Sequence, residues 1–250
     1  MSHGKSRAIT KVVVFGASGY VGDAIARAVA TRARELARDV AVVACSRRGA
    51  PNANARAKDV TWVKCDATNY EQSARAIGDA DVVVCAIGAL PTPWTSREDV
   101  VRANAETNVT PGRAAIKAKC ARLIIVGASI PSFIPGLAGY AKGKAIVEAF
   151  ARDEFASTSA SEGERRAVVL KPAAVSGTRD VGGWGIPLWL AMDPARAVIM
   201  RAGIDGLIAH APVPLENVAR AAARAALDDA YGGGGFTVLT NKALIEDFSS

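Results

Sequence analysis

The chain has 250 residues, half of them apolar and 22% charged, which suits one globular α/β domain with a sizeable core. Its 31 basic and 24 acidic residues give a net charge of +7, scattered without a basic run; this argues against nucleic-acid binding and favours a solvated surface, an anionic cofactor or an anionic membrane. With two histidines, His3 and His210, neither a His-rich metal site nor a His-based triad has its parts.

Strand-like and helix-like runs alternate along the chain. Lys11–Phe15 predicts a strand, Tyr20–Leu36 a helix, Val40–Cys45 a second strand and Val60–Cys65 a third. A short helix over Tyr70–Ile77 precedes a fourth strand at Asp81–Ala86. Then come a long helix over Arg97–Ala118, a fifth strand at Arg122–Gly127, an Ala-rich helix over Gly139–Ala156 and a sixth strand at Ala167–Lys171. These strands are nearly continuous apolar runs, as parallel strands covered on both faces require. Repeated βα units predict an α/β, doubly wound parallel sheet with right-handed crossovers. The polar stretch "STSASEGER" (residues 157–165) reads as a surface loop. Beyond Pro172 the pattern loosens to about Pro214, then resumes with a helix near Glu216–Asp229 and a last strand candidate at Phe236–Thr240. A single domain over residues 1–250 is expected, with residues 172–213 as a small C-terminal capping region.

Cys45, Cys65, Cys85 and Cys120 form no CxxC pair and read as reduced packing residues. The apolar run "WGIPLWLAM" (residues 184–192) is far too short to span a bilayer. The first ten residues carry Lys5 and Arg7 but no apolar signal-peptide core.

The sharpest local signal is "VVVFGASGYVGDAIA" (residues 12–26), where a strand runs into Gly16, Gly19 and Gly22 and then into a helix. One glycine permits a tight turn, a second lets backbone approach a pyrophosphate, and a third lets helix and strand pack closely. The helix N-terminus presents free N–H groups to the phosphates, so Ser18, Tyr20 and Val21 join the expected cofactor contacts. At the end of the second strand stands "CSRRG": Ser46, Arg47 and Arg48 where NAD-selective folds place a carboxylate. A carboxylate would repel a 2′-phosphate and a guanidinium would grip it, so NADP(H) is preferred over NAD(H). Asp66, past the third strand, has the acceptor an adenine amino group needs, or is an ordinary loop aspartate. The small residues of "CAIG" place Ala86, Ile87 and Gly88 beside the nucleotide.

"GYAKGKAIVEAF" puts Tyr140 and Lys144 one helical turn apart. A neighbouring ammonium is expected to lower the tyrosine pKa and make the phenol a usable acid/base. Ser129, eleven residues upstream, has the hydroxyl to bond a substrate carbonyl, with Ser132 a spare in the same loop. Asn104 and Asn108 read as packing at least as readily as a proton relay and stay outside the catalytic set.

In this order, Gly16/Gly19/Gly22, Asp66, the "AIG" strand end, Ser129 and Tyr140/Lys144 resemble the short-chain dehydrogenase/reductase superfamily over roughly residues 11–218. The resemblance implies a Rossmann fold, hydride transfer with a nicotinamide dinucleotide, and Lys144 holding the nicotinamide ribose. "SRRG", "CAIG", "YAKGKAIVEA", "LKPAAVSGTRDVGGWGIPL" and "APVPLENVARAA" resemble its atypical branch. That branch includes the nucleotide-binding accessory subunit of mitochondrial complex I, a fungal coenzyme Q biosynthesis protein and plant plastoglobule homologues. By the same resemblance Pro172 lies beside the cofactor. Lys171 and Ala173 depart from the usual arginine and glycine around it, and the spacing from Ser129 to Tyr140 is short.

The apolar residues Trp184, Ile186, Pro187, Leu188, Trp189, Leu190, Met192, Ile199 and Met200 would cap the crevice at the strand ends, as pocket, packing or membrane-facing surface. Two functions stand at this point. One is an NADP(H)-dependent oxidoreductase for an apolar carbonyl, alcohol, quinone or isoprenoid. The other is a non-catalytic dinucleotide-binding subunit of an organellar assembly such as respiratory complex I, peripheral to a membrane. The resemblance implies a mitochondrion or plastid, with the cytoplasm as the alternative.

Overall fold

The computed structural model describes residues 9–50, 59–130, 136–157, 164–181, 184–187, 189–231 and 233–248. Its elements, in chain order, are β1 (Lys11–Phe15), α1 (Tyr20–Glu35), β2 (Ala41–Ser46), β3 (Val60–Lys64), α2 (Tyr70–Ile77), β4 (Val82–Cys85), α3 (Arg97–Lys117), β5 (Arg122–Val126) and α4 (Ala138–Phe150). After β6 (Arg166–Leu170) come β7 (Val175–Ser176), β8 (Thr178–Val181), β9 (Trp184–Pro187), α5 (Trp189–Ala202), α6 (Asp205–Ile208), β10 (Val213–Pro214), α7 (Leu215–Leu227), β11 (Gly235–Leu239) and α8 (Asn241–Glu246).

Seven parallel strands form the central sheet, in the order β11-β6-β5-β4-β1-β2-β3. Period-2 alternation sorts their side chains into two apolar layers. Val12, Val14, Val82, Val84, Ile124 and Val168 join Ile25, Val29, Leu227 and Leu244 on one face. Val13, Phe15, Val83, Leu123, Ile125 and Val169 join Ile77, Ala114, Val147 and Phe150 on the other. Burial on both faces explains the unbroken apolar runs. The chain winds away from β1 in opposite directions, so the order reverses between β1 and β4. A crevice opens there, at the carboxyl ends of the strands.

The start of an interior strand is tied to α7 by a buried arginine. Arg122 opens β5, and its Nη1 donates to the carbonyls of Ala225 (3.2 Å), Ala226 (2.9 Å) and Asp228 (3.0 Å) at the end of α7. A cation there satisfies carbonyls that the helix leaves unpaired and answers its negative end. Arg122→Met should cost about 2 kcal/mol, because buried acceptors lose a charged donor. The loss is read as a lower urea midpoint at unchanged slope.

The segment after Pro172 holds more structure than its sequence pattern predicts. β7 pairs with β10 in parallel, β8 and β9 form an antiparallel hairpin, and α5 runs through Pro194. Ile199 and Met200 pack against the core, whereas Leu190 is exposed. Leu188, Ser132, the loop residues 158–163, and the side chains of Trp184, Ile186, Pro187 and Trp189 lie outside the described residues. The Ala-rich segment is helical over its expected span but changes type within it: α4 passes at Phe150 into a π-helical turn over Ala151–Phe155. No helix among the described residues is long and apolar enough to cross a membrane.

Candidate functional site: a glycine-walled cleft and a buried Tyr–Lys pair

A cleft of about 750 Å³ occupies the crevice between β1 and β4. Gly16, Ser18 and Gly19 form one wall, the Ser46–Arg48 segment and Asp66 another, and Ala86, Ile87 and Gly88 a third. Gly16 adopts φ +81°, and a Cβ there would lie 2.8 Å from Ile87 Cγ1 and 3.0 Å from the Ala86 carbonyl. Only glycine fits both that backbone and that approach. Gly19 is the N-cap of α1, whose first-turn N–H groups (Tyr20, Val21, Gly22) have no acceptor within the helix.

The three glycines thus divide their work. Gly16 and Gly19 shape the cleft wall, while Gly22 lies under it, because a Cβ on Gly22 would collide with the Gly16 carbonyl. The side chains of Tyr20 and Val21 do not line the cleft. The Tyr20 hydroxyl abuts Gly177 beneath the cap, and Val21 packs on the core.

The cationic rim comes from a tight turn after β2. The buried Ser46 hydroxyl donates to Gly49 O (2.6 Å), Gly49 N donates back to Ser46 O (3.2 Å), and Gly49 takes φ +77°. Ser46 therefore closes the turn that displays Arg47 and Arg48, both exposed. Neither arginine forms an ion pair among the described residues. On the same wall, Asp66 Oδ1 accepts from Thr68 N (3.0 Å) and Thr68 Oγ1 (2.8 Å). Those bonds, with the Arg47 charge adding to them, hold its carboxyl below the usual carboxylate range.

The end of β4 is where this cleft meets the Tyr–Lys pair. Gly88 lines the cleft, and a Cβ on it would lie 3.6 Å from both Tyr140 Oη and Lys144 Nζ. Two other glycines place that pair. A Cβ on Gly139 would stand 2.9 Å from Arg97 O, and one on Gly143 would stand 2.7 Å from Asn104 Cβ. Only helices without side chains at these points approach so closely. In "GYAKGK" the glycines seat α4 against α3, and the residue after each is the Tyr140 or Lys144 that reaches Gly88.

Lys144 Nζ donates to Ile87 O (2.9 Å) and Val126 O (2.8 Å), and lies 5.8 Å from the Tyr140 ring centre. Burial pushes its pKa down to about 8. Burial also raises the Tyr140 pKa above the ordinary phenol value. The lowering of Tyr140 by a neighbouring ammonium, expected from helical spacing, does not appear. The amine spends its bonds on two carbonyls, and desolvation dominates both groups.

Asn104 and Asn108, left outside the site by sequence reasoning, hold its central wall. Asn104 brackets Ala89, accepting from its N (3.0 Å) and donating to its O (2.8 Å). Asn108 Nδ2 donates to Ile87 O (3.1 Å), the carbonyl Lys144 also uses. Both side chains are fully buried. Two amides four residues apart on the buried face of a helix were the available signal.

Ser129 stands elsewhere in the network. Its N–H donates to Pro172 O (2.8 Å) and its hydroxyl to Ala209 O (3.4 Å), tying the loop after β5 to the cap. Pro172 is buried at that junction rather than in the cleft wall. Lys171, beside it, pairs with Glu148 on α4 (3.0 Å).

A model of the NAD-dependent epimerase/dehydratase family matches residues 12–132, the stretch that builds the glycine turn, the rim and the β4 end. Across 237 residues the chain is 31% identical to a chloroplastic Arabidopsis thaliana protein of uncharacterised function, covering 89% of this chain and 73% of that one. The chain belongs to this family of Rossmann nicotinamide-dinucleotide-binding proteins. The epimerase/dehydratase-family chain also shares its fold with solved enzymes. One is the Pseudomonas aeruginosa RhlG–NADP active-site complex (TM-score 0.64, 18% identity, 96% of this chain and 98% of that chain). Another is the Bordetella bronchiseptica enzyme WbmH with NAD+ (TM-score 0.58, 19% identity, 92% and 75%). A dinucleotide fits the residues present: the cleft wall is glycine backbone at Gly16, Gly19 and Gly88, and the rim is cationic.

Proposed function

We propose that this family member is an NADP(H)-dependent oxidoreductase acting on an apolar carbonyl or alcohol, of which quinone- and isoprenoid-type compounds are the class. The observation that carries it is Gly88, one residue shared by the dinucleotide cleft and by Tyr140 Oη and Lys144 Nζ. The dinucleotide, when bound, supplies or accepts a hydride. Tyr140 holds the proton that the substrate oxygen gains on reduction. Lys144 fixes the wall at Ile87 and offers its remaining N–H to the ribose. Ser129 orients the substrate oxygen once its hydroxyl turns from Ala209 O to donate to it. Exposed Leu90 and Trp94, on the loop leaving Gly88, and Leu190 and Leu207 on the cap support an apolar substrate. The chloroplastic relative supports a plastid location.

Arg47 and Arg48 are the proposed grip on the 2′-phosphate. Arg47→Ala and Arg48→Ala should each weaken NADPH binding by about tenfold to a hundredfold, the worth of a charge-assisted hydrogen bond, and leave NADH binding nearly unchanged. Calorimetry on nucleotide-stripped protein reads both; equal losses for both coenzymes would overturn the NADP preference.

The second reading, a non-catalytic dinucleotide-binding subunit, is favoured by one observation. Both hydrogen bonds of Lys144 go to main-chain carbonyls, so the pair also serves as a structural tie. Substitution at Tyr140 separates the two readings.

A further inference from the structure

Cys45 is the penultimate residue of β2, and Cys65 is the first residue beyond β3. In the parallel register Cys45 stands opposite Val63, and two residues further on the side chain returns to the same face. The β3 end is drawn toward β2 by Cys65 N, which donates to Ser46 O at 2.9 Å. Both thiols therefore stand on one face of neighbouring strands, and each shifts the other's pKa. They are 1% and 3% exposed, yet both line the nucleotide cleft.

The other two cysteines are placed differently. Cys85 Sγ donates to Asn108 O at 3.7 Å and Cys120 Sγ to Ala80 O at 3.0 Å, and neither lines the cleft. Packing alone accounts for that second pair. Cys45 and Cys65 share that packed layer but also stand in the wall of the cleft.

We propose that Cys45 and Cys65 form a reversible dithiol–disulfide site in the wall of the nucleotide cleft, and that closing the disulfide weakens binding at the adenosine end. Its consequence rests on the dinucleotide reading; its chemistry does not. Cys45 beside it lowers the Cys65 pKa against the effect of burial. Cys65 and burial together raise Cys45. Cys65 is therefore the attacking sulfur, since the thiolate is the nucleophile.

With a peroxide as oxidant, the Cys65 thiolate attacks one oxygen, the O–O bond breaks, and a sulfenic acid forms as the leaving oxygen departs as water. Cys45 then attacks the Cys65 sulfur, loses its proton and expels the second water. Two thiols and one hydrogen peroxide give one disulfide and two waters. The thiols lose two electrons and the peroxide gains them.

An S–S bond of about 2.05 Å requires closer approach than two free thiols make. The strand ends must move, and with them the Ser46–Gly49 turn carrying Arg47 and Arg48, and Asp66 next to Cys65. Both groups bound the cleft. By linkage, bound dinucleotide must in turn oppose the oxidation.

The test uses the full chain, with hydrogen peroxide as oxidant and dithiothreitol as reductant. Peptide mass mapping reads the cross-link and calorimetry reads NADPH affinity. The expected result is a Cys45–Cys65 disulfide, NADPH binding weaker by about tenfold or more, recovery of both in dithiothreitol, and slower cross-linking when NADPH is bound first. Cys65→Ser should retain its affinity through peroxide treatment. A map showing no Cys45–Cys65 linkage overturns the proposal, as does a linkage that leaves affinity unchanged. Reduced protein that binds neither coenzyme overturns the dinucleotide reading instead, and the mass map alone then decides the disulfide. Because the central comparison is made on the unmodified chain, it survives a variant that fails to fold.

Discussion

Replacing Tyr140 with Phe is expected to lower reductive turnover by about 10²–10⁴-fold, the usual worth of a positioned general acid. Dinucleotide affinity should stay within about twofold, because the ring remains and no cleft-wall hydrogen bond of Tyr140 is lost. The direction of the pKa supports this choice of assay. Burial raises the Tyr140 phenol, so it is protonated across the neutral range and is poised to donate. The measurement is NADPH consumption with apolar aldehydes, ketones and a short-chain quinone, alongside calorimetric affinity for the wild type and Tyr140→Phe. No turnover in either protein would favour the non-catalytic subunit; equal turnover in both would remove Tyr140 from the catalytic set.

Raising the pH should stabilise the protein selectively through Lys144. Its pKa is about 8 in the folded chain, against 10.5 for an ordinary lysine. Below pH 8 both folded and unfolded chains hold the proton, and the full cost of burying the charge is present. Between pH 8 and 10.5 the unfolded chain binds more protons, so stability rises with pH, and above 10.5 the cost is gone. At 1.36 kcal/mol per pKa unit, the regained stability is about 3 kcal/mol. Lys144→Met removes the titration but keeps an unbranched side chain. The difference in unfolding free energy between wild type and variant should therefore rise by that amount from pH 7 to 11, read from urea melts at each pH. A flat difference would mean that Lys144 is far better solvated than its two carbonyl partners imply.

The strands and their order of appearance were legible because burial on both faces leaves an unmistakable mark. Val12–Phe15, Val82–Cys85 and Leu123–Val126 are runs without polar interruption, and the structure has strands there. The segment 175–202 was not legible as structure. Its strands are two to four residues long, and α5 carries a proline, so neither period nor length announces them.

The site divides along the same line. Residue type and spacing by themselves determined the glycine turn, the arginine pair after the second strand, and a tyrosine and lysine on one helical face, because each depends on neighbours within a few residues. Only the tertiary structure decided what those groups do to one another. Gly22 packs under the turn instead of lining the cleft, Ser129 is tied to the cap, and Asn104 and Asn108 hold the Ile87–Ala89 wall. Protonation is likewise a tertiary property: helical spacing puts an ammonium near a phenol, but the depth of burial shifts both pKa values. The placement of Cys45 and Cys65, twenty residues apart, on one face of neighbouring strands follows from strand register, which no local pattern encodes.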